Sequence, residues 1–183
     1  MVDVGVIVPL KSFARAKSRL RAVAGLDVDR LVEQLARAVV DAARPRVTVV
    51  ATDDDDVARW ARGLEAAVVL APPGLNAAVD AAYRALGHSV EFAVVAHGDL
   101  ADPVGLGQFH PEAGVTVVAD HRGTGTTVLA VPADAGFRFS FGASSRALHE
   151  HEAVRLGLAW RTIIDSPWRF DVDEPSDLER LRP

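Results

Sequence analysis

Apolar residues recur along this chain with two periods, and over the first half the two alternate regularly. Residues 4–10 are a β-branched apolar run ended by a basic segment, the pattern of a strand buried on both faces. A helix is predicted next, capped by Asp27 or Asp29, with Leu31, Leu35, Ala38 and Val39 at three- and four-residue spacing, and it ends before Pro45. Residues 47–51 read as a second strand. The acidic run 53–56 suits the positive end of a helix that carries Val57, Trp60 and Ala61. A strand at 67–70, a helix at 75–86 and a strand at 92–96 complete a βαβαβαβ series with short connections. That series predicts an α/β fold with a doubly wound, mostly parallel sheet. The second half is less regular, with strands near 115–118 and 127–131, a helix at 145–156, a strand at 160–164 and a last helix after Pro175.

Composition narrows the function classes. The 183 residues suit one domain spanning 1–183, and 49% hydrophobic with 25% charged residues is ordinary for a globular protein. A net charge of −5 argues against nucleic acid as a partner, because phosphate backbones are held by an excess of Lys and Arg. The absence of Cys removes thiol nucleophiles and thiolate metal sites. No apolar stretch approaches a membrane span, and the first residues lack a basic leader, so a cytoplasmic protein with no membrane partner is expected.

Open α/β sheets bind ligands beyond the carboxyl ends of their strands, and the polar clusters fall at such ends. After the first strand, residues 9–20 carry four basic side chains and two hydroxyls. Lys11 and Lys17 are the only lysines, whereas eighteen other basic residues are Arg. A chain so biased towards Arg that places both lysines at one strand end suggests compact point charges for a phosphate. After the strand at 92–96 comes His97-Gly98-Asp99-Leu100, where Asp99 is either a cation ligand or a turn residue. In Phe170-Asp171-Val172-Asp173-Glu174-Pro175 the alternate carboxylates share one face of an extended segment, where a cation between them would offset their repulsion, or Asp173 or Ser176 merely starts the last helix. The glycine- and threonine-rich residues 120–127 are either an anion loop or a hairpin turn, and they match neither a P-loop nor a dinucleotide fingerprint. Ser144 or Ser145 can cap the following helix, which carries His149 and Glu152 three apart. No G-x-S-x-G elbow supports a serine hydrolase.

Taken in order, these segments resemble the guanylyltransferases that make the phospho-acid guanosine diphosphate precursor of the deazaflavin coenzyme F-420, acting on 2-phospho-L-lactate or, in bacterial relatives, phosphoenolpyruvate. The likeness rests on V-P-L-K and A-K-S-R-L within 8–20, G-L-N-A-A at 74–78, G-D-L at 98–100 and G-T-G-T-T at 123–127. It continues in F-G-x-x-S-x-x-x-H-x-x-E-A at 141–153 and D-V-D-x-P-x-D-L at 171–178. It implies a three-layer, glycosyltransferase-A-like nucleotidyltransferase fold with a mostly parallel mixed central sheet, dependence on Mg2+, and GTP plus a small phospho-acid as substrates. It also implies hand-over of the product to a downstream transferase of the pathway. Carried over by motif, Lys11 and Lys17 neutralise the triphosphate alongside Pro9 and Leu10, Asp99 and Asp173 hold Mg2+, and Gly74 and Asn76 lie near the nucleoside. Thr126, Thr127, Gly142 and Ser145 cradle the acid. The chain departs from its relatives in reading H-G-D-L-A at 97–101 where they read P-A-D-L-P, in carrying Thr127 where many have Asn, and in a short stretch between Leu100 and Val115. The last departure predicts a helix reduced to a turn. The same site on another nucleotidyltransferase, with a sugar-phosphate or molybdopterin acceptor, or on a catalytically silent nucleotide-binding domain, are the competing readings.

Overall fold

The computed structural model describes residues 3–181; the outermost residues of the expected 1–183 domain lie outside them. Seven strands form one sheet in the order β3-β2-β1-β4-β6-β5-β7, with β1 Val4–Pro9, β2 Val47–Thr52, β3 Ala67–Leu70, β4 Phe92–Ala96, β5 Val115–Ala119, β6 Thr126–Pro132 and β7 Trp160–Ile163. Four α-helices cover it: α1 Val28–Ala42, α2 Asp55–Gly63, α3 Leu75–Leu86 and α4 Ser145–Arg155.

Side-chain alternation along each strand builds two separate cores. Val4, Val6 and Val8 of β1 point to the face covered by α1 and α2, where they meet Val39, Val40, Val57 and Ala61. Ile7 points to the opposite face with Val95 and Leu129, under Val79 and Ala82 of α3 and Ala153 of α4. The run 4–10 is therefore continuous in apolar character because both faces of β1 are buried. The buried stripe of α1 is Val28, Val32, Leu35, Ala36, Val39 and Val40. Ala38, expected inward, is exposed, because the stripe is rotated from the one read off the sequence. Asp27 rather than Asp29 caps α1, its Oδ1 accepting from the Arg30 N–H at 3.1 Å.

The β1–β2, β2–β3, β1–β4 and β5–β7 pairings are parallel, while β6 runs antiparallel to both β4 and β5. A short link between β5 and β6 cannot return a chain to the start of a parallel neighbour, so a hairpin results. Residues 120–125 form its turn. The last expected helix is a seven-residue 3-10 helix, Pro175–Leu181. Between Leu100 and Val115 the chain forms only a three-residue 3-10 turn, Leu106–Gln108, as the short spacing predicts.

Progression along the sheet reverses at β1. From β1 the chain moves outward through α1, β2, α2 and β3, then α3 carries it back across the other face to β4 on the far side of β1. The carboxyl ends of β1 and β4 flank this switch point, where the diverging helices leave a crevice.

Candidate active site

The crevice is a cleft of about 730 Å³, lined by the loop after β1, the ends of β2 and β4, the start of α3 and the segment 171–173. Each wall is held by packing rather than by the polar residues themselves. In the loop after β1, Ala16 and Leu20 are buried in a small apolar cluster with Val28, Val32 and Leu35 of α1 and Val172. They anchor the stretch that holds Lys17, which has a left-handed conformation with φ of 52°. At the end of β4, residues 99–101 pair antiparallel with 170–172: Leu100 faces Asp171, Ala101 N donates to Phe170 O at 2.8 Å, and Val172 N donates to Asp99 O at 3.0 Å. This short ladder sets Asp99 beside the two carboxylates that alternate around Val172. Gly98 packs closely on the end of β1: a Cβ there would lie 2.2 Å from Leu10 Cδ2, so the Leu10 side chain would have to move.

Lys17 Nζ lies between Asp99 and Asp173, hydrogen-bonded to Asp99 Oδ2 and, at 2.6 Å, to Asp173 Oδ1. Its side chain is only 8% exposed, which makes the ammonium a compensating charge and not a solvated one. Burial works to lower the Lys17 pKa, but the two carboxylates outweigh it and hold the group above its usual value. Asp173 is also desolvated, yet Lys17 keeps its pKa below the ordinary carboxylate range. Asp171 moves the other way: burial first, then the negative charges of Asp99 and Asp173, raise it.

A second group overlaps this one. His97, Asp99 and Asp171 offer ligand atoms within 4.8 Å of one another. Asp99 Oδ1 and His97 Nε2 are buried with no hydrogen-bond partner, a costly arrangement unless something else binds there. The donor set fits a divalent cation: two carboxylates suit a hard ion such as Mg2+, and an imidazole nitrogen widens the choice towards Mn2+ or Zn2+. Sequence reasoning named Asp99 and Asp173 for the metal, and the geometry adds Asp171 and His97 as candidates. The alternation of Asp171 with Asp173 was the available signal for the first, and the unusual His at the head of H-G-D for the second.

Pro9, Leu10, Lys11, Lys17, Gly74, Asp99 and Asp173 all line the cleft. Gly74 caps α3 with φ of 110°, a conformation open to glycine. Asn76, Thr126, Thr127, Gly142 and Ser145 do not line it: Thr127, and Asn76 through Phe141, back His97, Thr126 and Ser145 are buried, and Gly142 is exposed. Asn76 clamps one residue through both backbone groups, donating to Phe141 O at 3.1 Å and accepting from Phe141 N at 2.6 Å. The Phe141 ring lies 5.3 Å from that of His97, centroid to centroid. Thr127 is fully buried, its hydroxyl donating to Val118 O and its carbonyl accepting from His97 N. Thr126 meets His149.

The amides offered by the 123–127 loop are taken internally, since Thr124 N and Gly125 N both donate to Asp120 Oδ1 at 2.8 and 2.9 Å. The turn is closed by its own aspartate and is not open to an anion. At the start of α4, Ser145 N donates to Gly142 O and Arg146 N to Thr124 O, and the Ser144 side chain makes no cap. His149 is fully buried and is not a surface partner of Glu152. Its Nε2 accepts from Ser140 N at 3.1 Å, which leaves Nδ1 to carry the proton towards Thr126 Oγ1, also at 3.1 Å. Burial chiefly, with the nearby His97, lowers its pKa to about 4.

The family model described as "Guanylyl transferase CofC like" matches residues 4–182. The chain belongs to this family. It is 34% identical to a phosphoenolpyruvate guanylyltransferase of Streptomyces scabiei over 94% of this chain and 87% of the relative. It is 32% identical to one of Rubrobacter xylanophilus over 98% and 94% of the two chains. A solved nucleotidyl transferase from Methanothermobacter superposes with a TM-score of 0.66 at 19% identity, covering 98% of this chain and 96% of that one, a likeness of fold. Among the described residues no helix is long and apolar enough to cross a membrane.

Proposed function

We propose that this guanylyltransferase moves GMP from GTP to phosphoenolpyruvate, releasing pyrophosphate, and so supplies the guanylylated phospho-acid from which coenzyme F-420 is built. The observation that carries the reading is Lys17 lodged between Asp99 and Asp173 beside the unpartnered Asp99 Oδ1 and His97 Nε2. Such a site concentrates both signs of charge where a triphosphate and an anionic acceptor must be brought together.

An acceptor phosphate oxygen attacks the α-phosphorus in line with the departing pyrophosphate. The attacking oxygen is already anionic, so the protein needs no strong base, and its work is positioning and charge neutralisation. Lys17, freed from its carboxylates when the substrates enter, meets charge that grows on the leaving phosphates. Lys11, Arg15 and Arg19, which line the same cleft, draw the triphosphate over the end of β1. Asp99 and Asp171, with His97 beside them, would hold a divalent cation, Mg2+ by family resemblance, which supplies further neutralisation of phosphate oxygens. Thr127 supports the acceptor end through His97, and Thr126, Gly142 and Ser145 stand beside it around His149 and Phe141. Both substrates are cytoplasmic metabolites, so we place the reaction in the cytoplasm, with the product passed to a downstream transferase.

The test is pyrophosphate release from GTP with phosphoenolpyruvate, 2-phospho-L-lactate and 3-phosphoglycerate in turn, with Mg2+ present and then chelated. Release that requires phosphoenolpyruvate and the metal is expected. Turnover with another acid alone corrects the acceptor, and no release with any acid points to a silent nucleotide-binding domain.

A further inference from the structure

The geometry points to Asp53 as the residue that selects guanine, by accepting hydrogen bonds from the N1–H and the 2-amino group of the base. The inference rests on the guanylyltransfer reading and adds to it the element of the site that tells GTP from other nucleotides.

Four carboxylates line the cleft: Asp53, Asp99, Asp171 and Asp173. Three are gathered around Lys17 and the candidate cation site. Asp53 stands apart from them, at the end of β2. Strand β1 lies between β2 and β4 in the sheet, so Asp53, just past the end of β2, and Asp99, just past the end of β4, flank the end of β1 from opposite sides. Two strand spacings separate them, about 10 Å. That is the scale of a nucleoside whose α-phosphate lies at Asp99 and whose base reaches β2. The walls at this end are flat and apolar, with Pro9, Leu10, Pro72 and Leu75 lining the cleft around the start of α3. They suit an aromatic ring, while Lys11, Arg15 and Arg19 of the same cleft suit the phosphates.

The carboxylate of Asp53 is also uncommitted. Its neighbour Asp54 is consumed as the cap of α2, accepting from Asp56 N and Val57 N. Among the described residues Asp53 accepts no hydrogen bond, and its one charged partner is the Arg15 guanidinium at 3.6 Å, on a side chain 64% exposed and free to leave. A side chain that only accepts, with its lone pairs unfilled, recognises a base edge that only donates at two adjacent positions. Guanine presents that edge. Adenine and cytosine each place an acceptor nitrogen next to their amino group, which would face the carboxylate and be repelled.

Isothermal titration of the intact protein with GTP, ITP and XTP in Mg2+ tests this without relying on turnover. ITP lacks the 2-amino group and should bind the unmodified protein about tenfold more weakly than GTP. Asp53→Asn should lose about 30-fold or more of GTP affinity. It should prefer XTP, whose O2 accepts from the new amide while N1–H still donates to it. Equal binding of GTP and ITP by the unmodified protein, or an unchanged GTP to XTP ratio in folded Asp53→Asn, overturns the assignment. Pyrophosphate release with the three acids is scored separately: its absence counts against guanylyltransfer, while the titrations still decide Asp53.

Discussion

His97 and His149 lie close together on the same side of the sheet, both against Phe141, and their surroundings are opposite in kind. Around His149 every polar demand is met within the protein: each ring nitrogen has a partner, and the neutral ring ties β6 to the loop before α4. Around His97 the demands are left open, with its Nε2 and Asp99 Oδ1 buried and unpartnered beside the carboxylate of Asp171. A satisfied buried network specifies one conformation, whereas an unsatisfied one stores affinity for something that has yet to arrive. The first is scaffold and the second is the candidate site.

The sharpest way to break this comparison is at Asp99. Asp99→Asn should lower kcat about 100-fold, equivalent to about 3 kcal/mol of transition-state stabilisation, with an unchanged circular dichroism spectrum. Near-normal turnover in the folded variant would remove Asp99 from the site.

Next in size is the acid sensitivity that His149 imposes. Its folded pKa, about 4, lies below the 6.5 of the free side chain. Between those values the unfolded chain binds the additional proton, so stability rises with pH. Its contribution is complete above pH 6.5 and is lost as pH falls towards 4, by at most roughly 3 kcal/mol. Urea unfolding at several pH values should show this slope, and His149→Gln should flatten it. An identical slope in the variant would assign it to another group.

Asn76→Ala should cost about 1 to 3 kcal/mol, because the Phe141 N–H and C=O lose their partners. Since Asn76 does not line the cleft, the KM for the phospho-acid should rise while that for GTP stays within about twofold. A rise confined to GTP would return Asn76 to direct nucleotide contact. The smallest effect belongs to a cap far from either histidine: Asp27→Ala should lower stability by about 1 kcal/mol with kinetics intact.

Much of the fold is legible in the sequence for local reasons. Strand β1 and the strands beside it are runs of Val and Ile, α2 opens on aspartates, and Asp27 sits where a cap is needed, so neighbours along the chain suffice to place them. The direction of β6 was harder, because a glycine-rich loop serves a hairpin or an anion equally well, and only the bonds from Thr124 N and Gly125 N to Asp120 decide for the hairpin. The lysines at the end of β1 and the aspartates at 99 and 171–173 were visible as separate clusters. That Lys17 lies between Asp99 and Asp173, and that His97 and Asp171 join Asp99, depends on contacts between residues 82 and 156 positions apart for the lysine pairs.

By itself, then, the sequence determined which segments are strands and helices, where the charged clusters fall relative to strand ends, and the family motifs that tie them to guanylyltransfer. Propensity, capping and apolar period act within a few residues and survive without any knowledge of the rest of the chain. The tertiary structure alone decided which carboxylates come together, which polar groups are spent on one another and which remain open. These depend on the pairing of 99–101 with 170–172 and on the burial of Ala16 and Leu20 against Val172, contacts that exist only once the sheet has closed around its switch point.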